Sequence, residues 1–153
     1  MSVCSQLERE LLERAAQDGV QKLAVGGAIV GEDGASILIL TRHPSDFMPG
    51  LEELPSGGVQ EKETLYEALA REIEEETGLE LGKVEGYLNH FDYRSSKGRL
   101  ARQFNFLVSP KEWKEVTLVP NEHSSFSWRS LSAPGNLSEQ MLEVCALVRA
   151  RLA

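Results

Sequence analysis

Glu72, Glu74, Glu75 and Glu76 fall within five positions, directly behind Arg71 and just ahead of Gly78. On a helix advancing by about 100° per residue, Glu75 and Glu76 lie within about 60° of Glu72, and Glu74 lies about 160° away. Three carboxylates therefore share one face. Two unit charges ~4 Å apart repel by roughly 4 kcal/mol at an effective dielectric of 20. The last turns of a helix disfavour anions by a further ~0.3–1 kcal/mol each. Arg71, four residues before Glu75, can pair with it but cannot neutralise three carboxylates. Hard oxygen ligands converging on one face suit Mg²⁺ or Mn²⁺. The competing reading is a solvated acidic helix face.

The helix that must carry these groups spans residues 64 to 77. Thr64-x-x-Glu67 is a capping box and Gly78 suits the left-handed position after the last turn. Tyr66, Leu69, Ala70 and Ile73 form an apolar stripe that fixes which way the helix faces and that the acidic face borders, and Ala68 leaves space on the acidic side. Ahead of it, KLAVGGAIV and ASILILTR flank the turn-rich GEDG and read as a β-hairpin. HPSDFMPGLEELPSGG reads as mostly loop. Two long strands follow around Ser96-Lys97-Gly98, then a short strand SFSWRSL and a closing helix LSEQMLEVCALVRARL. At the N-terminus, Ser5-x-x-Glu8 reads as a capping box opening an amphipathic helix with Leu7, Leu11, Leu12 and Ala15 on one face. The chain divides into this helical extension, residues 1–20, and a domain over residues 21–153.

Bulk properties restrict the partners. The 153 residues suffice for one real core. A net charge of −8 argues against DNA or RNA polymers, which require a basic face. A small polyphosphate stays open, because a bound divalent ion reverses the local sign. No apolar run reaches the ~20 residues of a membrane helix, and no leader pattern precedes the first helix, so the expected location is cytoplasmic and off the membrane. Cys4 and Cys145 lie far apart without CxxC spacing and read as reduced thiols.

Gly57, Glu63, Arg71-Glu72-Ile73, Glu75-Glu76 and Gly78-Leu79 stand at intervals that resemble the Nudix box, GX5EX7REUXEEXGU with U a bulky aliphatic, and every specified position is matched. The likeness extends over roughly residues 22 to 150. It implies an α/β/α sandwich with a mixed β-sheet between helices, and hydrolysis of a nucleoside diphosphate linked to another group, X. It further implies Glu72, Glu75 and Glu76 as metal ligands, the Gly57 carbonyl as a further ligand, Arg71 as the residue orienting a catalytic glutamate, and Glu63 as a brace. Which group is the general base stays open. Asn121-Glu122-His123-Ser124-Ser125-Phe126-Ser127-Trp128 resembles a second segment of several Nudix branches, in which His123 or Glu122 would complete the site; a loop histidine positioning the next strand is the alternative. Two departures stand out: Pro55-Ser56-Gly57 replaces the common P-G-G, and Lys62 replaces a frequent glycine.

For substrate, Arg42, Arg94, Lys97, Arg99 and Arg102 are available to phosphates, or simply keep a sheet edge soluble. Phe47 and Tyr93 could stack a base, while alternating Phe104 and Phe106 suit a core. By elimination the resemblance implies a pyrophosphohydrolase acting on a nucleoside triphosphate or modified nucleotide. A nucleotide sugar, ADP-ribose or dinucleoside polyphosphate comes next, then a non-catalytic nucleotide sensor. The amphipathic N-terminal helix could pack on its own sheet or join two copies in a homodimer.

Overall fold

The computed structural model describes residues 4–46, 48–119 and 122–153. Phe47 and Asn121 therefore lie outside the described residues. Helix α1 (Ser5–Gln17) precedes β1 (Lys22–Ile29) and β2 (Ser36–Arg42). Short strands β3 (Glu52–Glu53) and β4 (Ser56–Gly58) lead to α2 (Leu65–Thr77). β5 (Leu81–Arg94), β6 (Leu100–Pro110), β7 (His123–Ser130) and α3 (Glu139–Leu152) complete the order. Among the described residues no helix is long and apolar enough to cross a membrane.

Two sheets form. One is mixed, in the order β4-β1-β6-β5, with β1 and β6 parallel; the other is antiparallel, in the order β3-β2-β7. The expected hairpin of β1 and β2 is thus corrected: the strands belong to different sheets and meet only at the Val30–Ile37 bridge. The reason is burial. Six successive residues of β1, Ala24 to Ile29, are buried, so the strand needs a neighbour on each edge and finds them in β4 and β6. Two pieces of the expected loop, Glu52–Glu53 and Ser56–Gly58, are likewise strands.

One core cluster lies between the mixed sheet and α1 and α2, with Val25, Leu69, Ile73, Phe104 and Phe106 at its centre. A second packs Ile37, Ile39 and Leu107 under Met141, Val144 and Val148 of α3. The helix–sheet–helix layering expected from the sequence is therefore present. Ala15 of α1 is buried and Leu7, Leu11 and Leu12 pack against the first cluster, so the apolar face of α1 lies on its own domain. The capping box at Ser5 does not form: the N-cap is Cys4 and no side chain caps the helix. The Ser96–Gly98 tip does close β5 onto β6, with Gly98 at φ 76°.

Candidate active site

Helix α2 starts and stops where local chemistry dictates. Thr64 Oγ1 accepts the Glu67 N–H at 3.1 Å, Glu67 accepts the Thr64 N–H at 2.9 Å, and Gly78 ends the helix at φ 75°. Gly27 of β1 faces Ile73; a Cβ there would come within 2.8 Å of Ile73 Cδ1, so the glycine lets α2 settle against the sheet. Ala68, expected on the acidic face, is fully buried in the core instead.

On the other side of α2 the carboxylates separate in character. Glu72 is largely buried, Glu75 is exposed, and Glu76 is only 6% exposed. Glu76 accepts the Ser56 N–H at 2.7 Å. Burial pushes its carboxyl up to about 9, an effect the Ser56 N–H opposes and the charges of Glu72, Glu53 and Glu122 reinforce. Burial also raises Glu72, partly offset by Arg71.

Arg71 ties the box together. Its guanidinium donates to Glu63 at 2.6 and 2.9 Å, to Glu72 at 2.6 Å and to the Gly58 carbonyl at 2.9 Å, and it reaches Glu75 at 3.4 Å. The hydrogen bond from Arg71 holds Glu63 below the usual carboxylate range. Gly57 lies against the Glu72 carboxylate so closely that a Cβ at this position would overlap it. Lys62 sits at φ 70°, the left-handed conformation that the glycine it replaces would adopt without strain.

Ser56, Gly57, Gly58, Glu72 and Glu76 line a cleft of about 490 Å³ that also receives Glu53, Glu122 and His123, while Glu63, Arg71 and Glu75 stand outside its lining. His123 is 3% exposed at the start of β7, with Nε2 2.9 Å from Glu53 Oε2. Glu53 also accepts from Arg42 at 2.7 and 3.2 Å, and Arg42 reaches Asp46 at 3.1 Å. His123 Nδ1 is buried with no partner among the described residues. No three His, Cys, Asp or Glu side chains among the described residues already close on a common point. The donor set nevertheless fits a hard divalent cation: Glu72 and Glu76 share one cleft wall, and the buried Glu76 accepts an N–H but pairs with no cationic group among the described residues.

Of the expected phosphate ligands, Arg42 and Arg94 line the cleft. Arg102 does not. It is 4% exposed and held by Asp92 at 2.7 and 3.0 Å and by Asp18 at 3.0 Å, because its place in β6 points it toward the α1 side of the sheet. That expectation is corrected: Arg102 is a buried structural cation. Lys22, Phe91 and Gln103 line the cleft without having been singled out from the sequence. A signal existed for Gln103, a polar residue inside the apolar run LARQFNFLV.

A sequence model of the NUDIX domain matches residues 20–146. A MutT-like protein of Streptomyces ambofaciens is 30% identical over 88% of this chain and 79% of its own length. The crystal structure of a MutT NUDIX hydrolase from Burkholderia pseudomallei superposes with a TM-score of 0.69 at 26% identity, covering 83% of this chain and 97% of that one. An Ap4A hydrolase of C. elegans shares the fold, with a TM-score of 0.70 at 21% identity over 86% of this chain and 98% of its own.

Proposed function

We propose, from the premise that this chain belongs to the NUDIX family of hydrolases, that it is a Mg²⁺- or Mn²⁺-dependent pyrophosphohydrolase acting on a nucleoside triphosphate or modified nucleotide. The observation that carries this reading is the pair Glu72 and Glu76: two largely buried carboxylates on one wall of a nucleotide-sized cleft, with Arg42, Arg94 and Lys22 on its other walls. Glu72, Glu76 and the Gly57 carbonyl would hold the ion, and the exposed Glu75 closes the set from the solvent side. Such an ion, when bound, neutralises phosphoanhydride oxygens and acidifies a water.

The chain's own groups do the rest. Arg71 fixes Glu72 through a 2.6 Å bond and is itself fixed by Glu63. The Ser56 N–H sets the position of Glu76. Arg42, Arg94 and Lys22 receive the outer phosphates. A carboxylate of the box takes the water's proton. His123 acts through Glu53, which it and Arg42 hold on the cleft wall.

The test is release of phosphate or pyrophosphate from a nucleoside triphosphate panel with Mg²⁺, comparing the native protein with Glu75→Gln and Glu76→Gln. Turnover by the native chain, lost in both variants, supports the reading. Tight binding without turnover refutes it in favour of a sensor.

A further inference from the structure

The mixed sheet presents buried polar side chains to the cleft, and these gain a role if the cleft takes a nucleotide as proposed above. Strand β6 is buried from Ala101 to Val108, yet it carries Gln103 and Asn105, 8% and 0% exposed. Buried amides must be paired. Gln103 Nε2 donates to Asn105 Oδ1 at 2.8 Å, and Asn105 Nδ2 donates to Asn89 Oδ1 at 3.0 Å. Room for this chain of amides is made by Gly26, where a Cβ would stand 2.5 Å from Gln103 Nε2 and 2.6 Å from Asn105 Oδ1.

The donors all run toward Asn89. Gln103, the member that lines the cleft, keeps its carbonyl oxygen and one N–H without a protein partner among the described residues. Phe91 stands directly across from Gln103 in the β5–β6 register, and Tyr93 follows on the same face with ring centroids 6.3 Å apart. A neutral donor–acceptor pair beside aromatic rings suits a flat, uncharged heterocycle rather than a phosphate. Gly58 pairs with Ala24, and Ala24 with Gln103, so this wall lies two strand spacings, about 10 Å, from the box. The sugar and inner phosphates can occupy the interval.

We infer that Gln103 reads the nucleobase and selects one whose edge offers an amino group beside an unprotonated ring nitrogen and no third group, the pattern of adenine. One carboxamide satisfies that pattern completely, amino group to Oε1 and ring nitrogen to N–H. Guanine sets O6, N1–H and its 2-amino group in a row, so a carboxamide leaves the amino group unmet, and a carboxylate would take both donors. Of the carboxylates in the cleft, Glu52, Glu53, Glu72, Glu76 and Asp46 are held by Arg129, Arg42, Arg71, Ser56 and Arg42 respectively, and Glu122 stands on the box side, where its charge helps raise Glu72 and Glu76. Uracil and cytosine each present three groups in a row, so one carboxamide leaves an acceptor of either unmet.

The experiment is calorimetric binding of AMP, CMP, GMP and UMP to the full chain with Mg²⁺. Monophosphates have no phosphoanhydride, so this readout stands apart from turnover: binding without hydrolysis of triphosphates would sink the enzymatic reading and leave this one intact. The expected result is AMP binding about tenfold tighter than CMP, GMP and UMP. Gln103→Leu should level the four. Gln103→Glu, which keeps the shape and supplies two acceptors, should shift preference to GMP, a gain that a merely structural residue would not produce. Equal binding of all four, no binding of any, or a native preference for CMP, GMP or UMP overturns the inference. So does a Gln103→Glu protein that still prefers AMP, which decides the matter even if Gln103→Leu fails to fold.

Discussion

Raising the pH on the metal-free protein should weaken it in proportion to one side chain, Glu76. Its carboxyl titrates near 4.5 in an unfolded chain and is pushed up to about 9 by burial in the fold. Below pH 4.5 it is neutral in both states and contributes no pH dependence. Between 4.5 and 9 the unfolded chain releases the proton while the folded one retains it, so stability falls with rising pH, and above 9 the loss is complete. The slope is about 1.36 kcal/mol per pH unit, so the interval from about pH 5.5 to about pH 8.5 costs about 4 kcal/mol, or roughly 10 °C in Tm for a chain of this size. Asp46, Glu63 and Asp92 are shifted downward and titrate below this window. Glu72 is raised and acts in the same direction. Glu76→Gln isolates the effect, because its amide oxygen can still accept the Ser56 N–H. Thermal melts in EDTA at stepped pH should show the native protein losing stability relative to Glu76→Gln, and millimolar Mg²⁺ should restore it most at high pH, where ligand deprotonation favours the ion. Parallel curves for the two proteins in EDTA would refute the reasoning.

Gly57→Ala places a methyl group on the Glu72 carboxylate; displacing that group should cut kcat by about 100-fold while leaving circular dichroism unchanged, since misplacement near 1 Å costs on that order. Arg71→Lys replaces a planar fork by a point charge that cannot serve Glu63, Glu72 and the Gly58 carbonyl together; denaturant titration should show a loss of about 1–3 kcal/mol, with at least a tenfold fall in kcat. Lys62→Gly relieves a side chain held at φ 70°; the melting temperature should rise by roughly 1–2 °C, the strain relief exceeding the glycine entropy by about 0.5 kcal/mol.

What the sequence disclosed follows from how local each determinant is. Helix α2 was legible because its cap, stripe and stop all lie within fifteen residues, and the same wheel that placed Ile73 inward placed Glu72 and Glu76 on the face that borders it. Helix spacing offered Arg71 the partner Glu75 and the box gave it a glutamate to orient, but its shorter bonds to Glu63 and Glu72 emerge only when the loop before the helix folds back. Strand partnership was not legible in the same way. KLAVGGAIV and ASILILTR around a turn satisfy every short-range rule for a hairpin, and only the distant partners β4 and β6, which take both edges of β1, separate them. Arg102 reads as an available cation until β5 brings Asp92 beside it and α1 delivers Asp18. Gln103 and Asn105 were visible as polar residues in an apolar strand, but their relay depends on Asn89 from the neighbouring strand and on the absent side chain of Gly26.

The bond from Asp18 to Arg102 carries a practical lesson about where this domain ends. The family model's match begins at residue 20, two positions past the aspartate that half-satisfies a guanidinium sealed inside the sheet. Trimming the chain to the matched region would strip Leu7, Leu11, Leu12 and Ala15 from the first core cluster and leave that cation leaning on Asp92 alone. The leading helix is thus a keystone of the hydrolase rather than a tag upon it, and a protein shortened at that boundary should be fragile before it is inactive.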